Sequence, residues 1–322
     1  MKLGVLANLY GALTLDEVLA KLASLGVEAA EIGCGGYPGK NQCDPEVLLA
    51  DDAKLQEFLD TFKKYDIQLA AFACHGNPVH PDKAQAEMYD KDLRNAILLA
   101  EKCGVDTIVT FSGCPGGSPE DKMPNWATCA WPPEYLDVLD YQWNQVLIPY
   151  WKEMVKFAEA HHVPRIAFEM HPGFCVYNPE TLMKLREACG PVIGANLDPS
   201  HLIWQGCDMS AVIRYLGDAI YHVHAKDCKI DAINAPAIGN LDTKHYGLEK
   251  ERAWIFRTVG YGHGEDWWRE FVSQLRLVGY DRVLSIEHED SLMSVDEGLE
   301  KAVRFLQRSV ISEPKPGTMS WA

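Results

Sequence analysis

Short apolar runs alternate with longer amphipathic segments along the whole chain, and the pair recurs eight times. Apolar runs bounded by polar or glycine-rich segments predict strands, and apolar positions that repeat every three or four residues predict helices. The predicted strands are 3–7, 29–32, 67–74, 107–111, 165–169, 192–197, 220–225 and 283–287. The predicted helices follow them at 14–25, 45 or 52 to 65, 81–103, 133–161, 179–189, 209–216, 265–278 and 295–310. Thr14 and Glu17 have the spacing of a capping box at the start of the first helix.

Strands that alternate with helices at this spacing favour a parallel sheet. Eight such units with no spare strand predict a single (β/α)8 TIM barrel over residues 1–310, followed by a C-terminal extension over 311–322. We expect that extension to be mobile or to reach a neighbouring molecule. An open doubly wound sheet is the alternative, but no Gly-x-Gly-x-x-Gly follows the first strand. Two long loops, 112–132 and 226–264, fall where a barrel places its active site.

Four of the predicted strands lead directly into a residue that can bind a metal ion: Glu169, Asp198, His224 and Glu287. If these strands are neighbours in a barrel, their ends converge, and three carboxylates then repel one another unless a cation is present. Lys226, Arg257 and Arg165 are too few to neutralise such a cluster. We therefore expect a divalent cation, and a mostly oxygen ligand set suits Mn²⁺, Mg²⁺ or Co²⁺.

Four short motifs surround these residues: Phe-Glu-Met-His at 168–171, Asn-Leu-Asp-Pro-Ser-His at 196–201, His-Val-His-Ala-Lys-Asp at 222–227 and Ser-Ile-Glu-His-Glu at 285–289. Together they resemble the sugar phosphate isomerase/epimerase family, which has the xylose isomerase-like TIM barrel. The resemblance extends to about residue 310. It implies that Glu169, Asp198, His224 and Glu287 bind one divalent metal and that the two glutamates also move protons. Mn²⁺ is the metal we favour, with Mg²⁺, Co²⁺ and Zn²⁺ as alternatives.

The resemblance and the ligand set predict a metal-dependent sugar isomerase or epimerase that removes a proton next to a carbonyl and passes through an enediolate. Members of the family also dehydrate and cleave sugars. A lyase or dehydratase acting on 3-keto-sugars or 3-keto-glycosides, like inosose dehydratases or C-glycoside deglycosidases, is therefore the main alternative. An apurinic-site endonuclease is a remote alternative, because the Asp-x-His pair expected after His224 is missing. A non-catalytic sugar-binding protein is a further one.

Several residues near the strand ends are candidates for contact with the substrate. His75 and His201 could each hold a substrate hydroxyl, and for His201 a second metal or a structural role is the alternative. Trp126 lies in a long loop, where its indole face could stack on a sugar ring. Lys226 could reach a substrate oxygen, although pairing with an acidic ligand is the preferred interpretation. Glu31 is also near a strand end, and we assign it an outer, salt-bridged role.

Arg257 and His263 lie in a glycine-punctuated segment before a predicted helix, whose N-terminus could attract an anion. We include both residues among the candidates for substrate binding. One arginine and a few amides make a weak phosphate site, so an unphosphorylated sugar or glycoside is favoured.

The net charge of -16 and the lack of a basic run argue against nucleic acid as a partner. No apolar stretch approaches the roughly 20 residues needed to span a bilayer, and the N-terminus does not resemble a signal peptide, so we expect a cytoplasmic protein without a membrane partner. The ten cysteines form no Cys-x-x-Cys pair and should be reduced. The expected partner is a small sugar molecule. Relatives suggest a homo-oligomer, and for some lyases a small second subunit.

Overall fold

Eight parallel strands close into a barrel, which confirms the predicted (β/α)8 fold. The structure is a computed structural model and describes residues 1–314 and 317. The strands in chain order are β1 (Lys2–Leu6), β2 (Ala29–Gly33), β3 (Gln68–Ala73), β4 (Thr107–Thr110), β5 (Arg165–Glu169), β6 (Ile193–Leu197), β7 (Ile220–Ala225), β8 (Asp227–Ile230), β9 (Trp254–Arg257) and β10 (Val283–Ile286). Strands β1 to β7 and β10 form the barrel, in which β10 lies between β7 and β1.

The barrel is surrounded by α-helices, and most of them pack apolar faces against it to complete one large hydrophobic core. They are α1 (Leu15–Ser24), α2 (Pro45–Ala50), α3 (Asp52–Tyr65), α4 (Lys83–Cys103), α5 (Glu134–Asp140), α6 (Ile148–Ala160), α7 (Pro179–Cys189), α8 (Pro199–Ile203), α9 (Met209–Leu216), α10 (Asn234–Ile238), α11 (Glu265–Leu277) and α12 (Val295–Leu306). A helix begins at each of the two predicted positions, residues 45 and 52. The chain breaks between α2 and α3 at Asp51, whose carboxylate accepts hydrogen bonds from the first amides of α3.

The capping box predicted for α1 is present. The Thr14 hydroxyl accepts a hydrogen bond from the Glu17 amide, and the Glu17 carboxylate accepts one from the Thr14 amide at 2.8 Å. These bonds satisfy amides that the first turn of a helix leaves without partners. The same helix buries Val18, Leu19 and Leu22 against the core. Local capping and apolar spacing thus fix the first βα unit.

The expectation of no spare strand is wrong, because the long loop after β7 contains the antiparallel pair β8 and β9. Asp227 pairs with Arg257 at one end of this hairpin, and Ile230 pairs with Trp254 at the other. Each strand has only four residues, and a long irregular segment separates them, so no turn signal marks the pairing. The hairpin is stabilised by a small separate core of Trp204, Cys228, Ala253, Trp254 and Phe256.

The start of the C-terminal extension lies against the barrel itself. Arg276 donates hydrogen bonds to the carbonyls of Ile311 and Glu313, and the N-terminal amine donates to the Ile311 carbonyl at 2.9 Å. The rest of the predicted extension, at residues 315, 316 and 318–322, falls outside the described residues. Within residues 1–314 and 317, no helix has the length and apolar content that a bilayer crossing requires.

Candidate active site

The four predicted metal ligands lie at the carboxyl ends of four consecutive barrel strands, β5, β6, β7 and β10. Glu169 ends β5, Asp198 follows β6 and caps α8, His224 lies near the end of β7, and Glu287 follows β10. Each offers one ligand atom, and these atoms all lie within 4.8 Å of one another. The structure therefore brings together at the barrel mouth four side chains that are far apart in the sequence.

The ligand atoms have the environment expected of a cation site. Among the described residues, Asp198 Oδ2, His224 Nδ1 and Glu287 Oε2 are buried and have no hydrogen-bond partner. His224 Nδ1 lies 3.0 Å from Glu287 Oε2 and 3.4 Å from Glu169 Oε2, but neither contact has hydrogen-bond geometry. Buried polar atoms are almost always paired in folded proteins. One divalent cation would satisfy all three atoms, so the donor set fits a metal.

The charges at the site support the same interpretation. Burial raises the pKa of Asp198 to about 6 against the opposing effects of His201 and Lys226, and the negative charges of Glu169 and Glu287 add to this rise. Burial also acts to raise the pKa of Glu287, but Lys226 outweighs it and brings that pKa to about 2. The carboxylates are therefore crowded and only partly compensated by the protein. A cation among them would favour the ionised form of each one.

A buried carboxylate from β2 fixes the orientation of the His224 ring. Glu31 accepts hydrogen bonds from His224 Nε2 at 3.0 Å, from His222 Nε2 at 2.8 Å and from the Ser285 hydroxyl at 2.8 Å. Burial acts to raise the pKa of Glu31, but the two histidines outweigh it and hold the pKa well below its usual range. Since an ionised carboxylate only accepts, Nε2 carries the proton and Nδ1 faces the other ligands.

Two other groups of potential ligands are close enough to hold a metal by distance alone. Glu31, His222 and His224 form one of them, but their facing atoms are already hydrogen-bonded to one another at 2.8 to 3.2 Å. Glu169, His171 and His201 form the other, in which His201 Nε2 donates to Glu169 Oε1 at 3.1 Å. Several unpaired atoms distinguish the set of four at the strand ends, so among these groups its donors fit a cation best.

Replacement of Glu31 by Gln should lower the affinity for Mn²⁺ by about 10- to 100-fold, as is typical when a residue that orients a metal-bound histidine is lost. Gln offers one acceptor and a donor group in place of two acceptors, so it no longer enforces one tautomer of His224. Titration of Mn²⁺ by electron paramagnetic resonance measures the change. Ser285→Ala is the matched control, because it removes one bond to Glu31 and keeps both histidines in place. An affinity of Glu31→Gln equal to that of Ser285→Ala would contradict this role.

Two predicted substrate-binding histidines contact Glu169 directly. His75 Nε2 donates to Glu169 Oε2 at 3.0 Å, and His201 Nε2 donates to Glu169 Oε1 at 3.1 Å. Burial acts to raise the pKa of Glu169, but the neighbouring imidazoles of His201, His224 and His75 outweigh it and hold the pKa well below its usual range. Glu169 is therefore ionised, and both of its oxygens are held in a fixed orientation.

Lys226 pairs with acidic side chains at the rim of the site. Its Nζ lies 3.1 Å from Glu287 Oε1 and 2.5 Å from Glu289 Oε2, and 4.3 Å above the Phe256 ring. One oxygen of Glu287 is thereby anchored, and the other faces His224. Lys226 therefore pairs with acidic side chains, as the preferred interpretation of the sequence proposed.

A cavity of about 190 Å³ opens at two of the four candidate ligands. Glu169 and Glu287 both line it, together with His75, Lys226 and His171. His171 belongs to the motif at 168–171 but is not among the residues predicted to contact the substrate. Burial and the nearby His201 lower the pKa of His171 to about 3, and its Nδ1 donates to the Pro172 carbonyl at 2.6 Å. Its position two residues after a strand-end glutamate is the signal that could have identified it.

Arg257 and His263 do not lie on this cavity, and their partners are acidic residues of the chain. Arg257 Nε donates to Asp290 at 3.1 Å, and His263 Nδ1 donates to Asp227 Oδ1 at 2.7 Å. The other oxygen of Asp227 accepts hydrogen bonds from the amides of Gly260, Gly262 and His263 at 2.9 to 3.1 Å. An internal carboxylate thus occupies the anion position that the sequence suggested for phosphate.

Trp126 also lies outside the cavity of the glutamates. It lines a neighbouring cavity of about 250 Å³, to which His171 and His201 also contribute. Its ring packs edge-on against Tyr177 with centroids 5.5 Å apart. Of the six candidates for substrate contact, the structure therefore places His75, His201 and Lys226 at the ligand cluster, Trp126 beside it, and Arg257 and His263 away from it.

Comparison with known proteins agrees with this architecture. The family model described as "Xylose isomerase-like TIM barrel" matches residues 19–309. The uncharacterized protein YfiH of Bacillus subtilis (strain 168) is 40% identical over 315 residues, which cover 96% of this chain and 99% of that protein.

Solved structures with the same fold are more distant in sequence. The probable 3-DHS dehydratase AsbF of Bacillus anthracis has a TM-score of 0.65 at 15% identity, over 95% of this chain and 99% of that one. A D-tagatose 3-epimerase-like protein has a TM-score of 0.63 at 20% identity, over 96% and 98% of the two chains. At these identities the likeness shows the fold alone, whereas the family model covers most of the sequence. The chain belongs to the xylose isomerase-like TIM barrel family.

Proposed function

We propose that the protein is a divalent-metal-dependent isomerase or epimerase that removes a proton next to the carbonyl of a sugar or keto-sugar. The observation that carries the proposal is the set of buried, unpaired ligand atoms of Asp198, His224 and Glu287 beside Glu169 at the barrel mouth. A fold shared with a D-tagatose 3-epimerase-like protein supports the same class of reaction.

Glu169, Asp198, His224 and Glu287 would hold the metal. Their three carboxylates and one imidazole favour Mn²⁺, with Mg²⁺, Co²⁺ and Zn²⁺ as alternatives. When bound, a divalent ion supplies Lewis-acid stabilisation of the negative charge that develops on substrate oxygen as the neighbouring carbon loses its proton.

The two glutamates supply the proton transfers. Glu169 is ionised and held by His75 and His201, so it can accept a proton without first changing its own orientation. Glu287 is anchored through Oε1 by Lys226, while Oε2 has no hydrogen-bond partner among the described residues. Both side chains line one cavity. If one carboxylate takes the proton and the other, after gaining a proton from solvent, delivers it to the far face of the same carbon, the result is epimerisation. Delivery of a proton to the adjacent carbon gives isomerisation.

Elimination from a 3-keto-sugar or 3-keto-glycoside is the second candidate reaction, because it begins with the same proton abstraction. The observation that favours it is the neighbouring cavity at His171 and His201, which leaves space for a group attached to the reacting sugar. An unphosphorylated substrate is favoured in either case, since Asp227 occupies the amides that could have bound a phosphate.

Deuterium exchange in D₂O tests the proposal. The protein, loaded with Mn²⁺, would be incubated with free keto-sugars, sugar phosphates and 3-keto-glycosides, and each compound followed by NMR and mass spectrometry. We expect deuterium at one carbon of at least one unphosphorylated compound, and loss of exchange after chelation that Mn²⁺ restores. Absence of exchange in every compound, with the metal shown to be bound, would contradict the enolisation mechanism.

A further inference from the structure

Three cavities meet at His171, and only one of them contains the proposed catalytic glutamates. That cavity measures about 190 Å³. The cavity next to it, of about 250 Å³, is here called the aromatic cleft, and its lining includes Trp126, His201, Trp204, Tyr246 and Trp254. His171 lines both cavities, and His201 reaches from the cleft to Glu169 at 3.1 Å. The cleft is therefore a direct continuation of the site.

The aromatic cleft has a wall of stacked rings. Trp204 and Trp254 stack with centroids 5.0 Å apart and planes within 7°. Tyr246 packs edge-on against Trp254, and the Arg252 guanidinium lies 4.3 Å from the Tyr246 ring and 4.7 Å from the Trp254 ring. Arg252 is itself buried. These residues come from the position directly after α8, from β9 and from the segment that joins β8 to β9, so the wall is built outside the barrel strands.

Two polar groups in the aromatic cleft have no partner. The indole nitrogens of Trp126 and Trp204 are buried, and neither has a hydrogen-bond acceptor among the described residues. Trp204 as a whole is 6% exposed. A buried indole N–H normally donates to an oxygen. Because both nitrogens are buried, they lie behind the surface of the cleft, and the aromatic faces that a ligand can contact are those of Trp126 and Tyr246, which are partly and largely exposed.

The charge of the aromatic cleft favours a neutral ligand. Its lining, within the described residues, contains no Lys or Arg. Its one carboxylate, Asp242, is already paired, because it accepts hydrogen bonds from the amides of Ala253 at 2.7 Å and Lys244 at 2.9 Å. No cationic side chain lines the cleft for a phosphate or carboxylate to bind, since Arg252 is buried against the rings and Lys244 is paired with Asp242 at 2.9 Å.

On the basis of the proposed function, we propose that the substrate is a neutral glycoside of two sugar rings. The ring with the reacting carbon lies in the cavity of Glu169 and Glu287, and the second ring lies in the aromatic cleft. A sugar ring presents apolar C–H faces that can pack on the exposed faces of Trp126 and Tyr246. The glycosidic bond then passes His171, at the junction of the two cavities.

Binding of unreactive sugars tests this assignment independently of turnover. Glucose, cellobiose, maltose, trehalose, sucrose and 4-nitrophenyl β-glucoside would be titrated into the Mn²⁺-loaded protein by calorimetry. We expect at least one disaccharide to bind roughly tenfold or more tightly than glucose, the gain that one well-stacked ring provides. Equal affinity for glucose and all disaccharides would overturn the proposal. Tighter binding of the nitrophenyl glycoside than of every disaccharide would overturn the second sugar as the occupant.

Variants of cleft residues test whether the higher affinity for a disaccharide comes from the aromatic cleft. Trp126→Ala and Tyr246→Ala should each remove most of the disaccharide advantage and leave the glucose affinity within about twofold. Tyr246 is 51% exposed, so its variant preserves the test if Trp126→Ala fails to fold. Met123→Ala is the matched control, because Met123 is 74% exposed in the same loop as Trp126 and does not line the cleft. An advantage that persists in both cleft variants would contradict the proposal.

The outcomes separate this inference from the proposed function. Cleft-dependent binding of disaccharides without deuterium exchange in any keto compound would refute the enolisation mechanism alone. Deuterium exchange in keto-monosaccharides, together with disaccharide binding that ignores Trp126 and Tyr246, would refute the two-ring substrate alone.

Discussion

Replacement of Glu169 by Gln should lower the rate of deuterium exchange by about 10²- to 10⁴-fold, the range that general acid–base catalysis typically contributes. Gln keeps the shape of the side chain but cannot accept a proton at neutral pH. His75 and His201 donate to both oxygens of Glu169, so one of these bonds would be lost or rearranged around the amide. Glu287→Gln should have a loss of similar size, because the second carboxylate completes the transfer. Exchange rates of each variant would be measured on one substrate at saturating Mn²⁺.

Saturating metal separates the two roles that the glutamates combine. If each glutamate only bound the metal, excess Mn²⁺ would restore the exchange rate of its Gln variant. We expect the rate to remain low when electron paramagnetic resonance shows the metal site to be full. Full activity of the metal-filled Glu287→Gln variant would show that proton transfer does not need two carboxylates. Circular dichroism of each variant would confirm that the barrel is intact.

The barrel and the position of its candidate site could be predicted because the information is local. Each of Glu169, Asp198, His224 and Glu287 stands at the end of an apolar run, and the barrel topology brings those ends together. Parallel strands bury both faces, so their sequences read as continuous apolar runs that are easily recognised. The capping box of Thr14 and Glu17 is local in the same sense, since both partners lie within one turn.

Partners of the site that are distant in sequence could not be predicted in this way. Glu31 is 191 positions from His222, and a single sequence contains no signal that joins them. The segment around Gly260 and Gly262 shows the same limit. Its amides do bind an anion, as the sequence suggested, but that anion is the carboxylate of Asp227, from the first residue of β8. The local sequence indicated an anion site in this segment. The identity of the anion depended on the β8–β9 hairpin, which no turn signal predicts.

The second large effect is expected on Mn²⁺ affinity, and the Asp198→Asn variant tests it separately from proton transfer. Asp198 Oδ1 accepts a hydrogen bond from the Ser200 amide at 2.7 Å and so caps α8, whereas Oδ2 is buried and has no hydrogen-bond partner among the described residues. Asn can keep the cap and replaces the unpaired oxygen with an N–H donor, which repels a cation. We expect Mn²⁺ affinity to fall by more than the roughly 100-fold limit typical of residues that only orient a ligand.

Without metal, the Asp198→Asn variant should be at least as stable as the unaltered protein, although its Mn²⁺ affinity is lower. This combination makes the test specific for a metal ligand. The pKa of Asp198 is raised to about 6 by burial, so its ionised form costs folding free energy once the pH rises above the ordinary range of an aspartate. At pH 7 the metal-free Asn variant should therefore unfold at a temperature equal to or above that of the unaltered protein. With Mn²⁺ at about 100 times its Kd, the unaltered protein should gain about 2.7 kcal/mol, whereas the Asn variant should not.

That gain should shrink as the pH falls through about 6, because protons then compete with Mn²⁺ for Asp198. Thermal unfolding with and without Mn²⁺, repeated between about pH 5 and 8, measures both effects. Glu289→Gln is the matched control, since Glu289 pairs with Lys226 at the rim and is not among the four candidate ligands. It should keep its Mn²⁺ stabilisation. If Asp198→Asn kept it as well, the cation would have to bind without Oδ2, and the strand-end cluster would not be the metal site.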